Sequence, residues 1–268
     1  MSFLRVLEKE LEEAGLSPRE ARLLLAKALG VLPFQIPREV PKAAQEEALA
    51  LLERRLAGYP LQYLLGEWEF FGLPLKMREG VLIPRPETEG LLEWALELPL
   101  EAPKVLDVGT GSGAIALAYK ARRPEARVYA TEIDPEALAL ARENAETLGL
   151  EVTFLPLPLT GGLRGVDLIL SNPPYLPEGY RAIAPKELAH ENPLALYAGE
   201  DGLKVARPLV AEAWEALRPG GWIYLELAPE NIHLLAREMA AMGFEQVEVK
   251  EDLLGRPRYL RAQRPRAG

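Results

Sequence analysis

Apolar side chains recur at helical spacing through the first part of the chain. Phe3, Leu4, Leu7, Leu11 and Ala14 share one helical face. Ser17-Pro18-Arg19-Glu20 reads as a capping box with proline at the first helical position, and it predicts a helix running to Gly30. A third helix is expected from near Pro41 to just before Gly58-Tyr59-Pro60. Leu23-Leu24-Leu25 and Leu49 to Leu52 suit the core of a small helical bundle rather than a membrane-binding face. The period then changes. Glu67-Trp68-Glu69-Phe70 and Leu73-Pro74-Leu75-Lys76-Met77 alternate around Gly72, which is the pattern of a β-hairpin.

After a helix expected over Leu91 to Leu98, runs of strand length alternate with helical segments. The strand-like runs are Lys104 to Leu106, Arg127 to Thr131, Val152 to Leu155, Val166 to Leu170, Trp222 to Leu227, Phe244 to Val249 and Arg258 to Ala262. Helical patterns fill Ala114 to Ala121, Glu136 to Leu148, Leu203 to Leu217 and Asn231 to Met242. This alternation predicts an α/β, Rossmann-like fold: a mostly parallel seven-stranded sheet with one antiparallel strand, a ligand lying over its carboxyl edge at the switch point. The expected organisation is a helical domain over residues 1–66, a hairpin linker over 67–84 and the α/β domain over 85–268.

Candidate chemistry gathers at two turns. Asp107-Val108-Gly109-Thr110-Gly111-Ser112-Gly113 lies between the first strand and helix, where glycines permit a sharp turn and close approach of a ligand to free amides. The second strand ends in Thr131-Glu132-Ile133-Asp134-Pro135, about twenty residues on, where an acid can take both ribose hydroxyls. Glu132 is the expected ribose ligand, and Asp134 before Pro135 is the expected N-cap of the next helix. The turn reads GxGxG and carries Asp107, which would repel a pyrophosphate but could bind an ammonium group. That favours S-adenosyl-L-methionine over a dinucleotide; the competing reading of Asp107 is a solvated strand end. Asn172-Pro173-Pro174-Tyr175 closes the Val166 to Leu170 run, and with the glycine turn it suggests methyl transfer to a planar nitrogen.

Five segments together carry a resemblance: Pro60-Leu61-Gln62-Tyr63 with Gly66, Glu69-Phe70-Phe71-Gly72, Ile83-Pro84-Arg85-Pro86-Glu87-Thr88-Glu89, the glycine turn, and Ser171-Asn172-Pro173-Pro174-Tyr175. On these the chain resembles the HemK/PrmC protein-(glutamine-N5) methyltransferases, which methylate the glutamine of the Gly-Gly-Gln loop in peptide chain release factors. The resemblance implies a methyltransferase fold using S-adenosyl-L-methionine, with S-adenosyl-L-homocysteine as product, and a helical domain that helps hold the release factor. It implies cofactor contacts from Asp107, Gly109, Thr110, Gly111, Ser112, Gly113, Glu132, Pro158 and Asn172. Asn172, Pro173, Pro174 and Tyr175 would meet the substrate. Two acceptors, the Asn172 side-chain oxygen and the Pro173 carbonyl, would hold both N–H groups of an amide, and Tyr175 would lie on its plane. The catalytic residues expected are therefore Asn172, Pro173 and Tyr175. Arg85, Glu87, Thr88 and Glu89 have two readings: acids complementing a helix dipole, or, by resemblance, a wall of the glutamine pocket. Leu157-Pro158 departs from the family, which has an acid and then an aromatic residue beside the adenine. Glu226 lies in an apolar strand without an assigned role, and no function is carried onto Leu227 to Asn231.

Composition narrows the alternatives. The chain has 268 residues, no Cys and only two His, and its net charge is −9. A zinc site, a thiol nucleophile or a His-based triad is not expected, and neither is any other metal site. The charge has the wrong sign for a stable complex with long nucleic acid, which counts against an amino-methyltransferase acting on adenine or guanine. A non-catalytic cofactor- or factor-binding module is the remaining rival. No apolar run is long enough to span a membrane, so a cytoplasmic protein without membrane partners is expected.

Overall fold

The computed structural model describes residues 1–268, which fall into two compact units. The first comprises Met1–Trp68, Met77–Glu79 and Pro185–His190; the second comprises Glu69–Lys76, Gly80–Ala184 and Glu191–Gly268.

In the first unit, α1 (Phe3–Glu13) begins behind Ser2, whose hydroxyl accepts from the Arg5 amide at 3.2 Å, and it buries Leu7 and Leu11 one turn apart. α2 (Glu20–Leu29) ends on Gly30 in the left-handed region. Its start differs from the capping box expected at Ser17. The Ser17 hydroxyl accepts from the Arg19 amide, and the Glu20 carboxylate pairs with Arg55 at 2.6 Å instead of reaching back to the backbone. A charge-assisted bond to a guanidinium is stronger than a bond to a neutral amide. α3 (Lys42–Leu56) comes next as expected, then α4 (Leu61–Leu65), which is too short to give a periodic signal. Leu7, Leu11, Leu24, Leu25, Ala48 and Leu52 form the core. Leu49 is 45% exposed, so only part of the Leu49 to Leu52 run faces inward. Two short stretches distant in sequence complete this unit. The Tyr59 hydroxyl donates to Glu79 at 3.0 Å, and Arg55 reaches Glu187 at 3.2 Å.

The hairpin of β1 (Glu67–Phe70) and β2 (Leu73–Lys76) turns at Phe71 and Gly72, with φ of 51° and 80°. Two successive left-handed residues make the primed turn that matches strand twist. α5 (Pro86–Leu96) starts earlier than the Leu91 expected, because Pro86 serves as its first residue; Glu87, Thr88 and Glu89 form its first turn.

Then come β3 (Lys104–Val108), α6 (Ala114–Arg122), β4 (Arg127–Thr131), α7 (Pro135–Leu148), β5 (Thr153–Leu155), β6 (Val166–Ser171), the short α8 (Pro193–Leu196), α9 (Ala206–Ala216), β7 (Leu217–Glu226), α10 (Ile232–Met242), β8 (Glu245–Glu251) and β9 (Pro257–Gln263). The seven strands lie in the order β5-β4-β3-β6-β7-β9-β8. β9 runs antiparallel to both of its neighbours, and the other pairings are parallel, as the sequence pattern predicts. Leu168, Ile169 and Leu170 are successive and fully buried, because helices cover both faces of a parallel sheet. The chain order reverses at β3, between β4 and β6, which is the switch point where ligands bind in such folds. No helix is long and apolar enough to cross a membrane.

Gly90 in α5 tests the packing of this helix on β9. A Cβ built there would lie 2.3 Å from the Tyr259 hydroxyl, which donates to the Glu87 carbonyl at 2.5 Å. Helix propensity alone predicts that Gly90→Ala stabilises by about 1 kcal/mol. The overlap is expected to win, giving a net loss of about 1–3 kcal/mol in urea denaturation.

Candidate active site

Strand register sets the site. Val108 at the end of β3 pairs with Thr131 of β4 on one side and Ser171 of β6 on the other. The next residues along each chain segment, Gly109, Glu132 and Asn172, therefore leave the sheet along one edge. The Gly109 and Thr110 amides both donate to the Thr131 carbonyl at 2.9 Å, stitching the glycine turn to β4. One Glu132 oxygen accepts from the Gly111 amide at 2.8 Å; the other accepts from the amides of Ile133 and Asp134 at 3.0 and 3.1 Å. Asp134 caps α7 as expected, accepting from the Glu136 amide.

These turns enclose a cavity of about 470 Å³, a size suited to a small organic ligand. Gly109 and Gly111 form one wall, Glu132, Ile133 and Asp134 a second, Leu157 and Pro158 a third, and Asn172, Pro173 and Pro174 a fourth. The wall at Leu157-Pro158-Leu159 is apolar. Asn172 Oδ1 is buried and has no hydrogen-bond partner within the protein. A buried acceptor left unpaired is costly, and Asp107 Oδ1 and Asn231 Oδ1 share that condition; of the three residues, Asn172 alone lines the cavity.

A family model for the methyltransferase small domain matches residues 88–252, and one for the PrmC N-terminal domain matches residues 2–66. The chain is 52% identical to a release factor glutamine methyltransferase of Deinococcus radiodurans, over 91% of this chain and 90% of the relative. It is 42% identical to that of Moorella thermoacetica, again over 91% and 90%. The chain belongs to the release factor glutamine methyltransferase family. Its fold is also that of a solved T. thermophilus 16S rRNA N2 G1207 methyltransferase in complex with AdoMet and guanosine, with a TM-score of 0.55 and 23% identity, covering 74% of this chain and 49% of that one. That likeness speaks to the fold alone.

Of the residues that the sequence singled out, this methyltransferase brings Gly109, Gly111, Glu132, Pro158, Asn172, Pro173 and Pro174 to the cavity. Asp107, Thr110, Ser112 and Gly113 are not among its lining residues. Asp107 is 1% exposed, and one of its oxygens accepts from the Thr110 hydroxyl at 2.6 Å and the Ala116 amide at 3.2 Å. It is not a solvated strand end. The Ser112 carbonyl accepts a hydrogen bond from the Asn144 side-chain amide at 2.9 Å. Tyr175 is not among the residues that line the cavity, and its hydroxyl lies 3.4 Å from Glu226.

The first turn of α5 is engaged within the protein. Arg85 donates to Glu191 at 2.6 Å, Thr88 to Glu226 at 2.7 Å, and Glu89 accepts from the Phe71 amide at 2.6 Å. The Glu87 carboxylate lies 3.6 Å from Arg256. None of the four lines the cavity. Three residues that the sequence did not flag support the Asn-Pro-Pro-Tyr loop or its surroundings. Glu191, 3% exposed, also accepts from the Ile83 amide at 2.7 Å. Asn192 lines the cavity and donates to Asp134 at 3.1 Å. Asn231, in the loop onto which no function was carried, donates to the Tyr175 carbonyl at 3.2 Å. These contacts span many tens of residues in sequence, so no local pattern announces them.

Burial pushes the Asp107 carboxyl up to about 7, against the opposing bonds from Thr110 and Ala116. An acid raised in the folded state binds its proton more tightly there than in the unfolded chain. Its contribution to stability is thus full below the ordinary value of 3.8 and is lost as pH rises through about 7. Asp107→Asn removes this dependence. Measured by denaturation between about pH 4 and pH 8, wild-type stability is expected to fall relative to the variant as pH rises; parallel curves would mean that Asp107 is charged in the folded protein throughout.

Proposed function

We propose that this methyltransferase adds one methyl group to the side-chain amide nitrogen of the glutamine in the Gly-Gly-Gln loop of a peptide chain release factor. The observation that carries the reading is Asn172 in the cavity wall, its Oδ1 without a partner in the protein, on an Asn-Pro-Pro-Tyr loop in a chain of this family. S-adenosyl-L-methionine supplies an electrophilic methyl on a sulfonium and leaves as S-adenosyl-L-homocysteine. The cavity suits it: Gly109 and Gly111 present backbone without side chains, Glu132 lines the cavity and would take the ribose hydroxyls, and Leu157-Pro158 offers an apolar wall to a base. Asp107, Thr110, Ser112 and Gly113 support the turn.

An amide nitrogen is a poor nucleophile because its lone pair is delocalised into the carbonyl. Asn172 Oδ1 and the Pro173 carbonyl accept its two N–H groups, fix its plane and stabilise positive charge as it forms. Two successive prolines hold those acceptors in a rigid loop, and the ring of Tyr175 bounds the amide face. The nitrogen gains the methyl and releases one proton to solvent, so no base of tuned pKa is needed. Residues 1–66 serve to hold the factor, 67–84 to link, and 85–268 to catalyse. A net charge of −9 supports a protein substrate over nucleic acid.

Labelled cofactor incubated separately with release factor, a Gln-substituted factor, duplex DNA and ribosomal RNA tests the substrate. Label in the unsubstituted factor alone is expected, and label only in a nucleic acid would refute the reading. Asn172→Ala is expected to lower kcat at least about a hundredfold while cofactor affinity changes little, as befits a transition-state acceptor. Glu132→Ala releases three backbone amides at once. It is expected to weaken cofactor binding by more than about tenfold in calorimetry, since both the turn and the ribose acceptor are lost.

A further inference from the structure

Glu226 is the last residue of β7 and is fully buried. One carboxylate oxygen accepts from the Thr88 hydroxyl at 2.7 Å; the other meets the Tyr175 hydroxyl at 3.4 Å. Across the ring of Tyr175, at 5.6 Å, lies the Arg258 guanidinium, carried by β9. Two strands thus meet at the Tyr175 side chain, and α5 holds the carboxylate that faces it. A carboxyl group placed so deeply costs stability, and an apolar residue of similar size would fill the space more cheaply. Its presence calls for a reason other than folding.

We propose that Glu226 is a positioning residue for methyl transfer, hooking the Tyr175 hydroxyl so that the tyrosine ring is held at the edge of the amide site. Tyr175 is then fixed at both ends, because Asn231 grips its backbone carbonyl at 3.2 Å while Glu226 grips its phenol. Thr88 fixes the carboxylate in turn, and this gives the first turn of α5 a role in the reaction without substrate contact. Arg85, just before this turn, is paired with Glu191. Freed from the hook, the ring would rotate and leave one face of the amide unbounded. Binding would persist while the productive orientation became rare.

This inference rests on the proposed amide methylation. The wild-type rate on the release factor tests that reading, and the ratios among variants test the hook. Glu226→Leu is expected to lower kcat at least about tenfold, with KM for cofactor and factor within about threefold. Glu226→Gln, whose amide can bond both hydroxyls, is expected to stay within about threefold of wild type. In a Tyr175→Phe background, Glu226→Leu should cost nothing further, because the hook has already lost its partner. An equal loss from Glu226→Leu in both backgrounds would overturn the proposal, as would a Glu226→Gln variant as slow as Glu226→Leu. Should Glu226→Leu fail to fold, Tyr175→Phe decides by itself: unchanged kcat removes the hook from the mechanism.

Discussion

The pairing of β3 with strands on both sides is the constraint on which the rest depends. Parallel strands in register deliver their carboxyl ends to one edge, and here Val108 is aligned with both Thr131 and Ser171. The glycine turn, Glu132 and Asn172 therefore arise side by side although they are far apart in the chain. A shift of one residue in either pairing would send Asp107 or Glu132 to the opposite face.

Backbone groups hold the aligned strand ends together. Glu132 is bonded to three amides before any ligand is considered. Thr131 serves two more through its carbonyl. The turn is thus held in a shape that presents Gly109 and Gly111 to the cavity, and its order does not wait on a ligand. Asp107 works from the other side of the same turn. Desolvation raises its pKa, and its bonds to Thr110 and Ala116 keep the start of α6 close to β3.

The Asn-Pro-Pro-Tyr loop is organised differently. Its acceptor, Asn172 Oδ1, has no internal partner, while its last residue is tied down by Glu226 and Asn231. A loop rigid at one end and chemically unsatisfied at the other is suited to meeting a substrate donor in a fixed direction. The α5 segment contributes through this scaffold. Arg85, Thr88 and Glu89 each brace a different neighbour, so the segment connects the hairpin, the loop after the motif and β7.

Local signals were enough for the class of fold, the number of strands, the antiparallel strand, the hairpin turn and the Asp134 cap. Each depends on side-chain period or on the conformational preference of glycine and proline, which neighbours in sequence express. The glycine turn, Glu132 and Asn172 were legible for the same reason, because strand ends and tight turns restrict residue type. Tertiary structure alone decided the partners of buried polar groups. Glu20 abandons its expected cap for Arg55, α5 starts at Pro86, Arg85 turns to Glu191, and Glu226 meets Thr88 and Tyr175. A buried charge or hydroxyl must find whichever donor or acceptor the fold brings within reach. That partner is chosen by packing in three dimensions, and a linear sequence carries no mark of it.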